Sequence, residues 1–211
     1  PVKVVITNLP EDAREGYTGP NHPARPEMGE REVVLTREIY IERADFMEDP
    51  PKKYFRLAPG REVRLRYACY VTCTDVVKND DGRIEEIHVE MDPESRGGST
   101  PDGRKVKGTI HWVSATENVA FESRWYENLF LKEDPNETEE GGSFLENLNP
   151  DSLRVGTGYG EPALAGARPE EKFQFERTGY VCIDPDTTAE KLVVNRTVGL
   201  RDTYGKKLQK G

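Results

Sequence analysis

Basic groups alternate with aromatic rings at two places in this chain. The first is Lys52, Lys53, Tyr54, Phe55 and Arg56; the second is Phe173, Gln174, Phe175, Glu176, Arg177 and then Tyr180. Aromatic rings and guanidinium planes stack on unpaired RNA bases, whose Watson–Crick edges stay open to hydrogen bonds. One such stack contributes ~1–3 kcal/mol, so two or three give useful affinity without a large interface. Glutamine suits base reading because its amide both donates and accepts. Arginine offers a fixed fork of donors to a carbonyl-rich edge or to a phosphate. Strand alternation in F-Q-F-E-R puts Phe173, Phe175 and Arg177 on one face and Gln174 with Glu176 on the other. Gln174 and Arg177 therefore meet one base only if the strand ends or bulges between them. The competing reading is a half-buried edge strand with an ordinary salt bridge.

Other chemistry finds little support. His22 sits in a proline-rich loop, and His88 and His111 occupy strand positions with no G-x-S-x-G or Cys–His signature beside them. No glycine-rich phosphate loop opens a helix. Carboxylates crowd 132–140, but a solvated acidic loop does not hold two of them at the separation acid–base catalysis needs. Cys69, Cys73 and Cys182 are too few for a disulfide framework. Cys69 and Cys73 would share one strand face as half a metal site, yet no second Cys/His pair accompanies them. They read as small buried hydrophobes in a reducing cytosol, and the N-x-T matches at Asn136 and Asn195 as chance. No catalytic residue and no metal site is expected.

The net charge is −9, from 30 basic and 39 acidic residues, which by itself counts against a nucleic-acid partner. The charges are segregated, however. Residues 51–68 hold six basic groups and one acid, 104–107 add three more positive charges, and 196–210 carry five against Asp202. A polyanion responds to the local field, because exposed charges are screened beyond ~8–10 Å.

The elements that must position these groups are strands. Period-two alternation runs through 3–8, 31–43, 62–77, 83–91, 105–114, 119–130, 172–183 and 191–201. Residues 62–77 read as one long strand, with Val63, Leu65, Tyr67, Cys69, Val71 and Cys73 on one face and Arg64, Arg66, Ala68 and Tyr70 on the other. Asp80-Asp81-Gly82 signals a hairpin. Helical turns are expected only near Ala44–Glu48 and Ser143–Leu148, the latter opened by a Ser143/Glu146 capping box. Many short strands with Gly/Pro-rich turns indicate barrels or sandwiches. Length allows one β-rich domain or two smaller ones, and an apolar content of 35% supports a modest core or two small ones. The break at 92–104 is the better boundary, and the acidic 132–142 the second. No apolar run is long enough to span a membrane. A chain starting at Pro1 is expected to be an excised piece of something longer.

Six strings occur in order: PVKVVITNLP, NHPARPEMGEREVVLTREIYIERADF, GREVRLRYACYV, DGRKVKGTIHWVSA, FQFERTGYVCID and NRTVGLRDTY. Together they closely resemble the C-terminal anticodon-binding region of bacterial glutaminyl-tRNA synthetase, over essentially the whole chain. The class I catalytic region, with its HIGH-like and KMSKS-like motifs, has no counterpart.

The resemblance implies an all-β fold with very little helix: two β-barrels related to the ribosomal protein L25 type. It implies a distal barrel at 12–104 and a proximal one at 105–205, with strand 1–10 joining the proximal barrel. It also implies a non-catalytic fragment of a glutamine–tRNA ligase, cytoplasmic, that binds glutamine-specific tRNA but neither DNA nor membrane. ATP with Mg would be used only by an upstream catalytic domain of the same polypeptide, and no cofactor by this chain. By resemblance Arg56 faces the third anticodon base, Arg64 holds the first through its phosphate, and Gln174 with Arg177 reads the central uracil. Arg66 and Arg104 are implied backbone contacts. Lys53 and Phe55 stand where the familiar pattern has Gln and Lys, which alters how the first or third base is held. Glutamyl-tRNA synthetases of archaeal and eukaryotic type share the architecture, and a β-barrel protein-interaction module is the reading from another class.

Overall fold

A computed structural model describes residues 1–200, so the far part of the 196–210 basic run and of the last quoted string lies outside the described residues. The strands are β1 Val2–Ile6, β2 Arg14–Pro20, β3 Glu30–Thr36, β4 Glu38–Ile41, β5 Glu62–Leu65, β6 Tyr70–Lys78, β7 Ile84–Asp92, β8 Thr109–Ile110, β9 Trp112–Ser114, β10 Val119–Tyr126, β11 Leu153–Gly160, β12 Lys172–Phe175, β13 Gly179–Ile183 and β14 Leu192–Gly199. The helical content among the described residues is confined to short 3-10 turns, two of them at the expected places: Arg43–Asp45, and Phe144–Asn147 behind the Ser143/Glu146 capping box. The hairpin at 79–83 forms as expected, with Gly82 at φ 75° and the Asn79 side chain accepting from the Asp81 and Arg83 amides.

Two units are built, Pro1–Val119 with Tyr159–Gly166, and Ala120–Gly158 with the residues from Ala167 on. In the first, seven strands pair in the order β8-β5-β6-β7-β1-β4-β9, and β2 with β3 forms a separate ribbon. The two ends of that sheet, β8 and β9, are consecutive in the chain with only His111 between them. Edges so joined force the sheet to curl back on itself, which makes it nearly a barrel. In the second unit five strands pair in the order β11-β10-β14-β13-β12.

The expected boundary therefore moves. Strand 1–10 does not join the second barrel, because β1 hydrogen-bonds β4 and β7 of the first. Residues 109–114 also stay with the first, through β8 on β5 and β9 on β4. The loop at 92–104 is a strap over the first sheet and not a linker.

Two of the expected long strands are hairpins. In 62–77, β5 and β6 pair antiparallel around residues 66–69, where Tyr67 takes the left-handed conformation at φ 67°. Val63, Leu65, Cys69, Val71 and Cys73 still reach the core, but Ala68 and Tyr70 are buried as well and Tyr67 only partly. The cores are unequal. Residues from β1, β3 to β7, β8 and β9 fill the first around Trp112, Leu35, Ile39 and Ile87, whereas the second rests on Phe121, Val181, Ile183 and Val194 with Phe173 and Phe175 against them. Cys69 and Cys73 are free thiols inside the first core, their pKa values pushed up by burial to about 12 and about 11.

The segment Tyr159–Gly166 is fastened into the first unit. Tyr159 stacks on Tyr40 at 4.6 Å, and the Glu161 carboxylate takes both the Arg31 guanidinium and, at 3.1 Å, His111. Burial pushes the Glu161 carboxyl up, but the hydrogen bonds from His111 and Arg31 outweigh it and hold the pKa at about 2, against an ordinary 4.5. A depressed carboxylate contributes stability that is complete above pH 4.5 and is lost as the pH falls toward 2. Glu161→Gln should cost the first unit ~2–3 kcal/mol at neutral pH and flatten its acid unfolding. Chemical denaturation at pH 7 and pH 3 checks this, and an unchanged pH profile would refute it.

Candidate nucleic-acid interface

The basic groups singled out in the sequence have unequal freedom. Arg56 lies beside Asp45, a carboxylate with no exposed surface, at 3.3 Å, and its Nη1 donates to the Ala44 carbonyl at 2.8 Å. A buried carboxylate left alone is costly, so Arg56 is bound into the fold by that charge. Arg104 is more fully engaged. Nε and Nη2 donate to Glu62, Nη2 also to Asp92, and Nη1 to Asp102. The Thr100 hydroxyl and Arg104 hold the Asp102 carboxyl at about 2. Four donor contacts to three carboxylates leave Arg104 little to offer a phosphate, and its plane also lies 5.5 Å from the Tyr70 ring. Arg104 is the clasp that fastens the strap to β5 and β7.

That strap places Arg64. On β5, Arg64 lies opposite Tyr70 of β6, so both side chains leave the same, outer face. The Tyr70 hydroxyl donates to the Gly98 carbonyl at 3.1 Å, and Ser95, fully buried, accepts from the Tyr70 amide at 2.7 Å. The Arg64 guanidinium packs against Gly98, so close that a Cβ there would fall less than 3.0 Å from Nη2, Nε and Cζ. Its Nε is buried without a hydrogen-bond partner, and no carboxylate among the described residues pairs with it. Arg64 is thus a positioned cation that no described carboxylate neutralises.

Around it, Arg66 lies 5.0 Å over the Tyr67 ring, which Arg31 approaches at 6.0 Å. Lys53 is exposed, Tyr54 is buried, and Phe55 is 51% exposed with the Lys107 ammonium 5.4 Å from its ring centroid. The first unit therefore shows alternating cations and one open ring at 53–56, but the ring that faces out is Phe55 and not Tyr54.

The second unit meets the geometric condition stated for Gln174 and Arg177. The strand ends between them: β12 stops at Phe175, three residues turn, and β13 starts at Gly179. Arg177 stands in that turn at φ 67°, and the Thr178 amide closes it onto the Phe175 carbonyl. Phe173 and Phe175 pack inward, while Gln174 and Arg177 are exposed. The structure brings Gln174 and Arg177 together on one hairpin, and Lys53, Arg56, Arg64, Arg66 and Arg104 belong to the other unit. The strap residues Ser95 and Gly98 escape sequence reasoning; the doubled Gly97-Gly98, both at positive φ, is the one signal that marks them.

The first unit presents the exposed Phe55 ring beside Lys107, and the second presents Gln174 and Arg177 on one hairpin; rings, amides and guanidinium groups are what modules of the RNA-reading class use. Residues 1–92 and 109–184 each match a family model described as the anti-codon binding domain of class I tRNA synthetases (E and Q). The glutamine--tRNA ligase of Nitrobacter hamburgensis is 52% identical over 206 residues, covering 98% of this chain and 36% of that protein. Those of Nitrosomonas europaea and Clostridium perfringens are 51% and 48% identical, over 98% and 97% of this chain and 37% of each relative. This chain belongs to the family of class I synthetase anticodon-binding domains, and it spans just over a third of the length of these curated relatives.

Proposed function

We propose that this chain reads the anticodon of glutamine tRNA for a glutamine–tRNA ligase. The ATP- and Mg-dependent attachment of glutamine would belong to the remainder of such a polypeptide, in the cytoplasm. One observation carries the reading: the β12–β13 hairpin ends its strand between Gln174 and Arg177, so an amide and a guanidinium can converge on one base. Uracil offers carbonyl oxygens to both groups and an N3–H to the Gln174 carbonyl, whereas cytosine would turn an amino group toward Arg177. Arg64 supplies a phosphate contact, which positions the RNA without specifying it. Lys53 and Arg66 add field, and Arg56 contributes a base edge only through donors that Asp45 and Ala44 do not hold.

The test is binding of anticodon stem-loops that differ at the central base. Arg177→Ala should weaken the central-uracil loop by ~1–3 kcal/mol and the other loops by much less. An equal loss for every central base would show that Arg177 contacts only a phosphate, and wild-type binding indifferent to the anticodon would sink the reading.

A further inference from the structure

The outer face of the second sheet holds a third group beside Gln174 and Arg177. In the β12–β13 ladder Gln174 lies opposite Tyr180, and in the β13–β14 ladder Tyr180 lies opposite Val198. Directly opposed residues of antiparallel strands point the same way, with Cβ atoms about 4.5–5.5 Å apart. The neighbours Phe173, Phe175 and Val181 point the other way, into the small core. Tyr180 is 49% exposed and Val198 60% exposed. The ring therefore lies on the solvent side of the sheet, next to the Gln174 amide and three residues from Arg177.

Nothing in the packing of the described residues of the second unit requires a tyrosine there. Its ring is outside the core cluster and half-exposed. Its backbone is firmly held: the Tyr180 carbonyl accepts from the Thr197 hydroxyl at 3.1 Å, and a bulge between Tyr180 and Val181 shifts the register beside it. A bulge strengthens the local twist and re-aims the flanking side chain. An exposed ring on a fixed strand, in register with a base-reading amide, is the arrangement that accepts a flat heterocycle.

We propose that Tyr180 is the stacking platform for the nucleobase whose edge Gln174 and Arg177 read, with Val198 extending the apolar floor. This inference rests on the anticodon reading and adds a residue to it. The ring contributes affinity by stacking, which every base shares, while the amide and guanidinium contribute the choice among bases. Tyr180 is on this view a positioning residue for the read base.

The experiment uses the whole 211-residue chain and an anticodon stem-loop with 5-iodouridine at the central anticodon position. Irradiation should cross-link that base to the peptide containing Tyr180. Tyr180→Ala should weaken the unmodified stem-loop about 5- to 150-fold, the stacking range converted at 1.4 kcal/mol per decade, and by a similar factor whatever the central base. Tyr180→Phe should bind within about twofold of wild type, because a stack needs the ring and not the hydroxyl. If Tyr180→Phe is as weak as Tyr180→Ala, the hydroxyl makes the contact and the platform is overturned. If Tyr180→Ala binds normally while Arg177→Ala still loses its preference for uracil, the platform falls and the anticodon reading stands. If the wild-type chain does not distinguish anticodon loops at all, both fall together.

Discussion

Gly179→Ala should cost the second unit ~3 kcal/mol or more and remove most of its stability. Gly179 has φ 146°, and a Cβ there would fall less than 3.0 Å from the Val198 carbonyl oxygen. That backbone region is essentially glycine's alone, and forcing another residue into it costs ~1–3 kcal/mol before any clash is counted. The clashing atom belongs to β14 and cannot rotate away as a side chain would. Relief requires opening the β13–β14 ladder where Gly179 pairs with Gly199. Among the described residues the core beneath that ladder has four buried side chains with a few partly buried ones against them, so little remains to hold the strands together. Loss of amide-exchange protection across 172–183 checks the expectation, with 62–92 of the other unit as the internal reference. On the proposed reading the same variant should also lose the preference for uracil, since Gln174 stands on β12 and Arg177 in the turn that Gly179 closes. Wild-type protection in β12 and β13 would mean that the ladder absorbs the extra carbon.

The strands were legible from side-chain alternation, and so was the barrel character, because deeper and more exposed positions alternate through strands such as β4, β5, β7, β12 and β13. The places where strands turn back were less so. Turns usually carry glycine, proline or asparagine, but residues 66–69 (RYAC) and 176–178 (ERT) carry none. Their left-handed positions are filled by Tyr67 and Arg177. A long apolar alternation and a tight hairpin therefore look alike in sequence, and 62–77 reads as one strand. β2 and β11 were invisible for a related reason. Both are rich in glycine, and most of β11 faces solvent, so neither presents an alternating apolar face. The six strings that carry the family resemblance contain Arg64, Arg66, Arg104 and Arg177, with Arg56 in the gap between two of them, and they do not show how any arginine is engaged. Whether an arginine is available depends on which carboxylates the fold brings near it. Glu62, Asp92 and Asp102 converge on Arg104 from β5, β7 and the strap, and no spacing along the chain announces that convergence.

Arg64 and Gly98 should behave as one unit in binding. Arg64→Ala removes a cation that no described carboxylate neutralises, and a lost phosphate hydrogen bond to a charged group costs ~1.5–3 kcal/mol. Each phosphate contact on a single strand contributes ~0.7 to the slope of log affinity against log salt, so the slope should fall by about that amount with little change in base preference. Gly98→Ala leaves the arginine in the sequence but takes its place in space. At φ 81° an L-residue is strained by ~1–2 kcal/mol, and the new Cβ would overlap the guanidinium plane. Being the end of a flexible chain, the guanidinium moves more easily than the strap, which Arg104 and the Tyr70 hydroxyl hold down. The displaced Arg64 should then bind phosphate poorly, and Gly98→Ala should reproduce most of the affinity and salt-slope loss of Arg64→Ala with only a modest fall in thermal stability. The double variant decides the mechanism. Two changes acting on one contact are not additive, so Arg64→Ala with Gly98→Ala should bind no worse than Arg64→Ala alone. Fully additive losses would show that Gly98 serves the folding of the strap and has no part in aiming the arginine.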